Sequence, residues 1–310
     1  MKNKLIINKR VIYLNDDERN AEYPYHSNYI KTTKYNIVTF LPVALLLQFL
    51  RVANIYFLII AILQSIPAIS PLNAYTAVLP LAFVLTISLI REGIEDFRRY
   101  KSDRVINKAQ FKKYYEKGTF LEIQSKNIKV GDILLIEDGD TFPSDMVLLK
   151  SSNGLNAFIQ TSSLDGEKNY KKRTLPKNFE EYARPFEDKN FDLVGRLVVE
   201  SPTLNLYSFN GKIIMGNNQF ALKVNQLLLK GSNLRNTEWV MGIVVYTGKD
   251  TKLMLNSQKS RTKQSYVEKK LNVIIFMILG LQIFICLCLN LIMIIHDSLD
   301  PSNQDYYLGK

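Results

Sequence analysis

Two blocks of apolar sequence, one toward each end of the chain, most constrain what it can become. Val273–Ile295 is broken only by Gln282 and Asn290, and a helix of that length crosses the roughly 30 Å hydrocarbon core of a bilayer. Ala74–Ile90 is a second such segment with Pro80 inside it; proline is tolerated in a spanning helix when neighbours satisfy the freed carbonyl. Leu41–Ile66 is less regular, interrupted by Gln48, Arg51 and Asn54. Arginine at the bilayer centre costs roughly 2.5–3.5 kcal/mol, so Arg51 is expected at the cytosolic interface with its head snorkelling out. The residues before Arg51 then lie along the membrane surface, and the crossing runs from Val52 to Ile66, which is short for a span. Between these segments "SIPAISPLN" is a charge-free, proline-containing turn. The two segments are expected to form a hairpin whose tip faces away from the cytosol.

Charge follows the same pattern. The net charge is +11, yet no Lys or Arg lies between Val52 and Ile90, and after Ile295 only Lys310 occurs. A basic excess can mark nucleic-acid binding; here accumulation of Lys and Arg on the cytosolic side explains it better, so no nucleic acid is expected. The first forty residues are charged and polar, with no signal peptide visible, and the N-terminus is expected in the cytosol. Cys286 and Cys288 are the two cysteines. Two residues apart on a helix, they face different directions, so two buried thiols are expected rather than a disulfide or a metal pair.

Beyond Ile90, "REGIEDFRRYKSDR" keeps helical charge spacing through Arg91–Glu95, Glu95–Arg99 and Asp96–Arg99, the mark of a solvated helical stalk. From about Asn107 to Ser260 the pattern changes to short β-type runs: "DILLIE", "DMVLLK", "LNAFIQ", "GRLVVE", "LNLYSF", "NQLLLK" and "EWVMGIVVY", with turn signals at "EDGD", "SSNG" and "FNGK". The stretch from Lys171 to Asp192 reads as a surface insertion. The predicted fold class is membrane α-helical spans plus an all-β cytosolic domain, a sandwich or distorted jelly roll, inserted between spans two and three. The expected divisions are a cytosolic tail (1–38), a membrane hairpin (39–92), a stalk (93–106), the β-rich domain (107–265), a third span (266–296) and an exoplasmic tail (297–310).

Within the β region, "TSSLDGEK" sets Asp165 and Glu167 on either side of Gly166. On local sequence this is first a hairpin turn. It lacks the glycine spacing of a phosphate-binding P-loop. His26 and His296 lie at opposite ends of the chain, so no helical zinc pair and no Ser/His/Asp triad can be drawn.

The order of the segments adds a resemblance. "KYNIVTFLPVALLLQFLRVANIYFLIIAILQSIPAISPLNAYTAVLPL", "REGIEDFRRYKSD", "VGDILLIEDGDTFPSDMVLLKSS", "TSSLDGEKN" and "LLLKGSNLRNTEWVMGIVVYTGKDTKLMLNS" resemble, in order, the first hairpin, stalk, actuator domain and lead-in to the third span of the lipid-flipping branch of the P-type ATPases. The resemblance implies an ATP-driven phospholipid transporter. Its actuator domain carries a loop whose Glu positions the water that hydrolyses an aspartyl phosphate. Glu167 falls on that position; Gly166 would let the backbone approach the phosphate, and Asp165 favours the lipid branch over the ion pumps. Lys168 and Tyr170 depart from the family pattern, which has Thr or Ser and Leu there. An ammonium at Lys168 would pair with Glu167 and weaken it as a base, or help hold phosphate. Gln64 and Ser65 fall where the family lines the entry for the lipid headgroup, and they equally suit a helix cap. Asn54 is a further polar candidate within the span, for substrate or for a structural hydrogen bond.

The resemblance implies ATP and Mg2+ as cofactors, bound by phosphorylation and nucleotide-binding domains that these residues lack, since no "DKTG" occurs. The chain alone is therefore expected to be inactive. A two-span glycosylated partner subunit is implied as well. Two alternatives stand beside the transporter: a truncated, non-catalytic membrane protein on the same scaffold, and an ion pump.

Overall fold

The computed structural model describes residues 9–67, 70, 73, 75–115, 118–179, 182, 194–257 and 266–299. They form two compact units. One comprises residues 1–32 with 99–260, the other 33–98 with 261–310.

The first unit is β-rich, with three antiparallel sheets among its described residues. The six-stranded sheet contains β2 (Gln110–Tyr114), β3 (Phe120–Gln124), β4 (Ile133–Glu137), β5 (Asp145–Ser151), β11 (Leu227–Leu228) and β13 (Trp239–Tyr246), in the order β11-β5-β13-β4-β2-β3. β13 is its centre, paired with β4 on one side and β5 on the other. Both of its faces are covered. Val240, Ile243, Val244, Val245 and Tyr246 are fully buried, as are Met146, Val147, Leu148 and Leu149 of β5. A strand covered on both faces needs a continuous apolar run rather than alternation, and "VMGIVVY" supplies it. A four-stranded sheet runs β1 (Lys9–Tyr13), β8 (Arg196–Glu200), β9 (Gly211–Met215), β10 (Asn218–Leu222), and a three-stranded sheet runs β12 (Asn233–Arg235), β6 (Asn156–Gln160), β7 (Tyr170–Thr174).

Residues 9–32, read above as part of a separate tail, instead complete this unit. β1 pairs along its whole length with β8, burying Ile12. The Asn20 side chain, on the short helix α1 (Asp17–Ala21), brackets the Tyr13 backbone with bonds of 2.9 and 2.7 Å. Asn28 is fully buried. Its amide donates to the carbonyls of Ser125 (2.9 Å) and Pro143 (3.2 Å), and its oxygen accepts from the Gly248 N–H (3.1 Å). Gly248 has φ +50°, and a Cβ there would lie 2.1 Å from the Ser27 carbonyl oxygen; only glycine lets the two segments cross.

Two further segments differ from the expectation. "LNLYSF" is not a strand. The short helix α6 (Lys252–Ser257; α2 to α5 are given below) takes the carbonyls a ladder would use. Lys252 Nζ donates to Asn205 O (2.7 Å) and Thr203 Oγ1 (2.9 Å), and Asn256 donates to Leu204 O (2.7 Å). The stretch from Lys171 to Asp192 begins as strand β7, and Phe179 is fully buried against the edge of Phe220; residues 180–181 and 183–192 lie outside the described residues.

The second unit is helical. α2 (Ile37–Gln48) and α3 (Val52–Gln64) meet at a break bent by 89°, as the position of Arg51 leads one to expect. α4 (Tyr75–Lys108) is a single helix through Pro80, and its last ten residues belong to the β-rich unit. Of the described helices, α4 and residues 269–296 of α7 (Tyr266–Leu299) are long and apolar enough to cross a membrane, with a third crossing if the bent pair is one span. The hairpin tip falls partly outside the described residues, at 68, 69, 71, 72 and 74. Both cysteines are free, and Cys286 is exposed on α7 rather than buried.

Candidate functional site

The loop carrying Asp165 and Glu167 joins β6 to β7, whose first pair is Gln160 with Tyr170. It is a hairpin connection, but a single helical turn, α5 (Ser162–Asp165), replaces the two-residue turn. Gly166 ends that turn at φ +78°, with nothing within 4 Å of where a Cβ would be. Its role is the left-handed conformation and an open flank rather than close packing.

Asp165 is the fixed member. Its side chain is 12 % exposed. Thr161 Oγ1 donates to both of its oxygens, at 2.9 and 3.1 Å, and the Glu167 N–H donates to Oδ1 at 3.0 Å. Lys171 Nζ donates to Oδ2. Partial burial opposes ionisation of Asp165, but the bonds from Lys171, the Glu167 amide and Thr161 outweigh it and hold the carboxyl below the usual carboxylate range. The loop is tied to the neighbouring segment by Ser163 Oγ, which donates to Gly231 O, and by Leu164, which packs on the core.

Glu167 is the outward member, its side chain 58 % exposed. Its carboxylate lies 2.9 Å from Lys171 Nζ. Lys171, not Lys168, supplies the neighbouring ammonium; Lys168 is exposed and makes no ion pair among the described residues. Hydrogen bonding to Asp165, partly offset by desolvation, and then bonding to Glu167 raise the Lys171 pKa. Its ammonium also lies 5.7 Å from the centre of the Tyr207 ring. Strand phase, which the lysine-rich sequence of β7 does not announce, brings this residue to the site. Lys171 and Arg173 pair with Ile159 and Ala157, which are buried, while Tyr170 and Lys172 alternate outward.

The three polar residues of the apolar hairpin are not gathered in one place. Asn54 is buried and donates to the Gln48 carbonyl at 2.7 Å, bridging the α2–α3 break. Gln64, at the other end of α3, accepts from Thr76 Oγ1 at 3.1 Å, and Ser65 caps the helix through Ala61 O at 2.7 Å. Among the described residues no group of three or more His, Cys, Asp or Glu is placed to hold a metal ion.

Residues 12–78 match the family model of the phospholipid-translocating ATPase N-terminal region, and residues 106–255 match that of the P-type ATPase actuator domain. Phospholipid-transporting ATPase 6 of Arabidopsis thaliana is 42% identical over 260 residues, covering 83% of this chain and 21% of its own length. Phospholipid-transporting ATPase ID of Homo sapiens is 39% identical over 287 residues, 92% of this chain and 23% of its own. Phospholipid-transporting ATPase 1 of Arabidopsis thaliana is 38% identical over 279 residues, 89% and 24%. The chain thus spans less than a quarter of the length of these curated relatives. The loop of Asp165 and Glu167 falls within the actuator match, and the bent helix pair falls within the N-terminal match. This chain is an integral membrane protein that belongs to the lipid-flipping branch of the P-type ATPases, of which it carries the N-terminal and actuator-domain portions.

Proposed function

We propose that these residues are the actuator-bearing part of an ATP-driven phospholipid translocase, and that Glu167 drives hydrolysis of its aspartyl-phosphate intermediate. The N-terminus and the β-rich unit are cytosolic, the latter a distorted jelly roll. Three spans cross the bilayer, the first built on the bent α2–α3 pair. ATP and Mg2+ act in domains outside these residues, where ATP supplies the phosphoryl group. In the dephosphorylation step a water oxygen attacks phosphorus and the bond from phosphorus to the aspartyl oxygen breaks. The water proton passes to the Glu167 carboxylate, leaving inorganic phosphate and free aspartate. Gly166 leaves the flank beside Glu167 open to the phosphoryl group, and Asp165 holds the turn that presents it. Gln64 and Ser65, at the end of α3, line the headgroup entry, with Asn54 deeper in the same helix.

The observation that carries this reading is the contrast within one loop. Thr161, Ser163, Leu164 and Asp165 are anchored, while Glu167 projects from them into solvent. Removing a general base costs typically 10²–10⁴-fold. In the intact transporter reconstituted in phospholipid vesicles, Glu167→Gln is expected to reduce lipid-stimulated ATP hydrolysis by about 100-fold or more. Hydrolysis at the unmodified rate would remove Glu167 from the reaction.

A further inference from the structure

Glu167 has a long, exposed side chain, and nothing in its own backbone fixes where the carboxylate points. Left free, such a side chain samples many rotamers. The contact that restrains it comes from β7: Lys171 Nζ lies 2.9 Å from Oε2. Lys171 is itself held. Its ammonium bonds Asp165 Oδ2, its side chain is only 23 % exposed, and Tyr207 lies beside it. Asp165 in turn is fixed by Thr161 and by the Glu167 amide. The contacts form a chain from the buried Thr161 through Asp165 and Lys171 to the reactive end of the loop.

We propose that Lys171 is a positioning residue for dephosphorylation: it aims the Glu167 carboxylate by holding Oε2 and leaving Oε1 to take the water proton. This rests on the assignment of Glu167 above. It gives Asp165 a defined part, as the anchor of the lysine rather than a second base. The spacing serves it geometrically. Lys171 follows Glu167 by four positions, and the strand phase of β7 turns Lys171 back under the loop while Lys172 faces outward. Lys168, nearer in sequence, is not part of this chain of contacts.

The test is a pulse-chase of the radiolabelled phosphoenzyme in the intact transporter, comparing Lys171→Met, Lys171→Arg and Glu167→Gln. Phosphoenzyme formation from ATP reports that each variant is folded, and its decay reports the step. Misaiming a proton acceptor costs about tenfold or more. Lys171→Met is expected to form phosphoenzyme normally and to lose it at least tenfold more slowly, with Lys171→Arg restoring most of the rate. Should Lys171→Met form no phosphoenzyme, Lys171→Gln takes its place. Wild-type decay in the neutral variant, with slow decay in Glu167→Gln, overturns the role of Lys171 and leaves that of Glu167 standing. Equal slowing by Met and Arg also overturns it, because loss of packing rather than of charge would then be the cause. Fast decay in Glu167→Gln defeats the underlying assignment and this inference with it.

Discussion

Asp145 is fully buried, and its two oxygens accept the backbone N–H groups of Lys230 (2.8 Å) and Lys252 (2.7 Å). It joins the start of β5 to two segments far away in the chain. Burial pushes its pKa up to about 6 despite those bonds. The folded state therefore binds its proton more tightly than the unfolded chain does, so this group's contribution to stability is complete below about pH 4 and is lost as pH rises through 6. A shift from 3.8 to about 6 corresponds to about 3 kcal/mol. Asp145→Asn should remove this slope between pH 4 and 6, measured by thermal unfolding across that range. Asp145→Ala leaves two buried N–H groups without acceptors and should cost about 2–5 kcal/mol at neutral pH. Lys230 behaves in the opposite sense: burial lowers its pKa to about 8, so its contribution rises between pH 8 and 10.5. At the membrane side, Ser65→Gln should change headgroup preference in a vesicle transport assay, and identical selectivity would remove Ser65 from the entry.

The break between α2 and α3 shows how a single side chain sets an element. At thirteen residues, α3 is about 20 Å long, too short to cross alone, and the Asn54 bond to Gln48 O secures the corner that joins it to α2. Asn54→Leu should lower the melting temperature in detergent, since a buried hydrogen bond is worth about 1 kcal/mol; an unchanged melt would show that the corner holds without it. Which elements were legible follows from their chemistry. β4, β5, β6, β8 and β13 carry apolar runs or clean alternation, and the sequence names them. β2 ("QFKKY") and β7 ("YKKRT") are lysine-rich strands whose apolar signal is too weak to see. β1 owes its existence to β8, far away in the chain, and no local pattern reports such a partner. The turn at Asp165 and Glu167 was visible in the sequence as a turn, and only the family resemblance gave it a role. Lys171 was not legible, because its contact depends on strand phase and on the compact turn between β6 and β7.

Across the whole molecule, two kinds of sequence make two kinds of unit. Apolar helices carry the membrane portion, and a β-rich unit closed by the N-terminal strand carries the loop. Deleting residues 1–32 should strip β8 of one of its two neighbours, leaving only β9, and leave Ile12's site empty. The β-rich unit would then expose a strand edge and aggregate, which size-exclusion chromatography would detect; a monodisperse deletion variant would show that β1 is dispensable. The measurement that bears most directly on the central claim is the decay of radiolabelled phosphoenzyme in the intact transporter once ATP is chased and phospholipid is present. Glu167→Gln should form phosphoenzyme and then hold it, with decay slowed about 100-fold or more. Decay as fast as in the unmodified protein would contradict it.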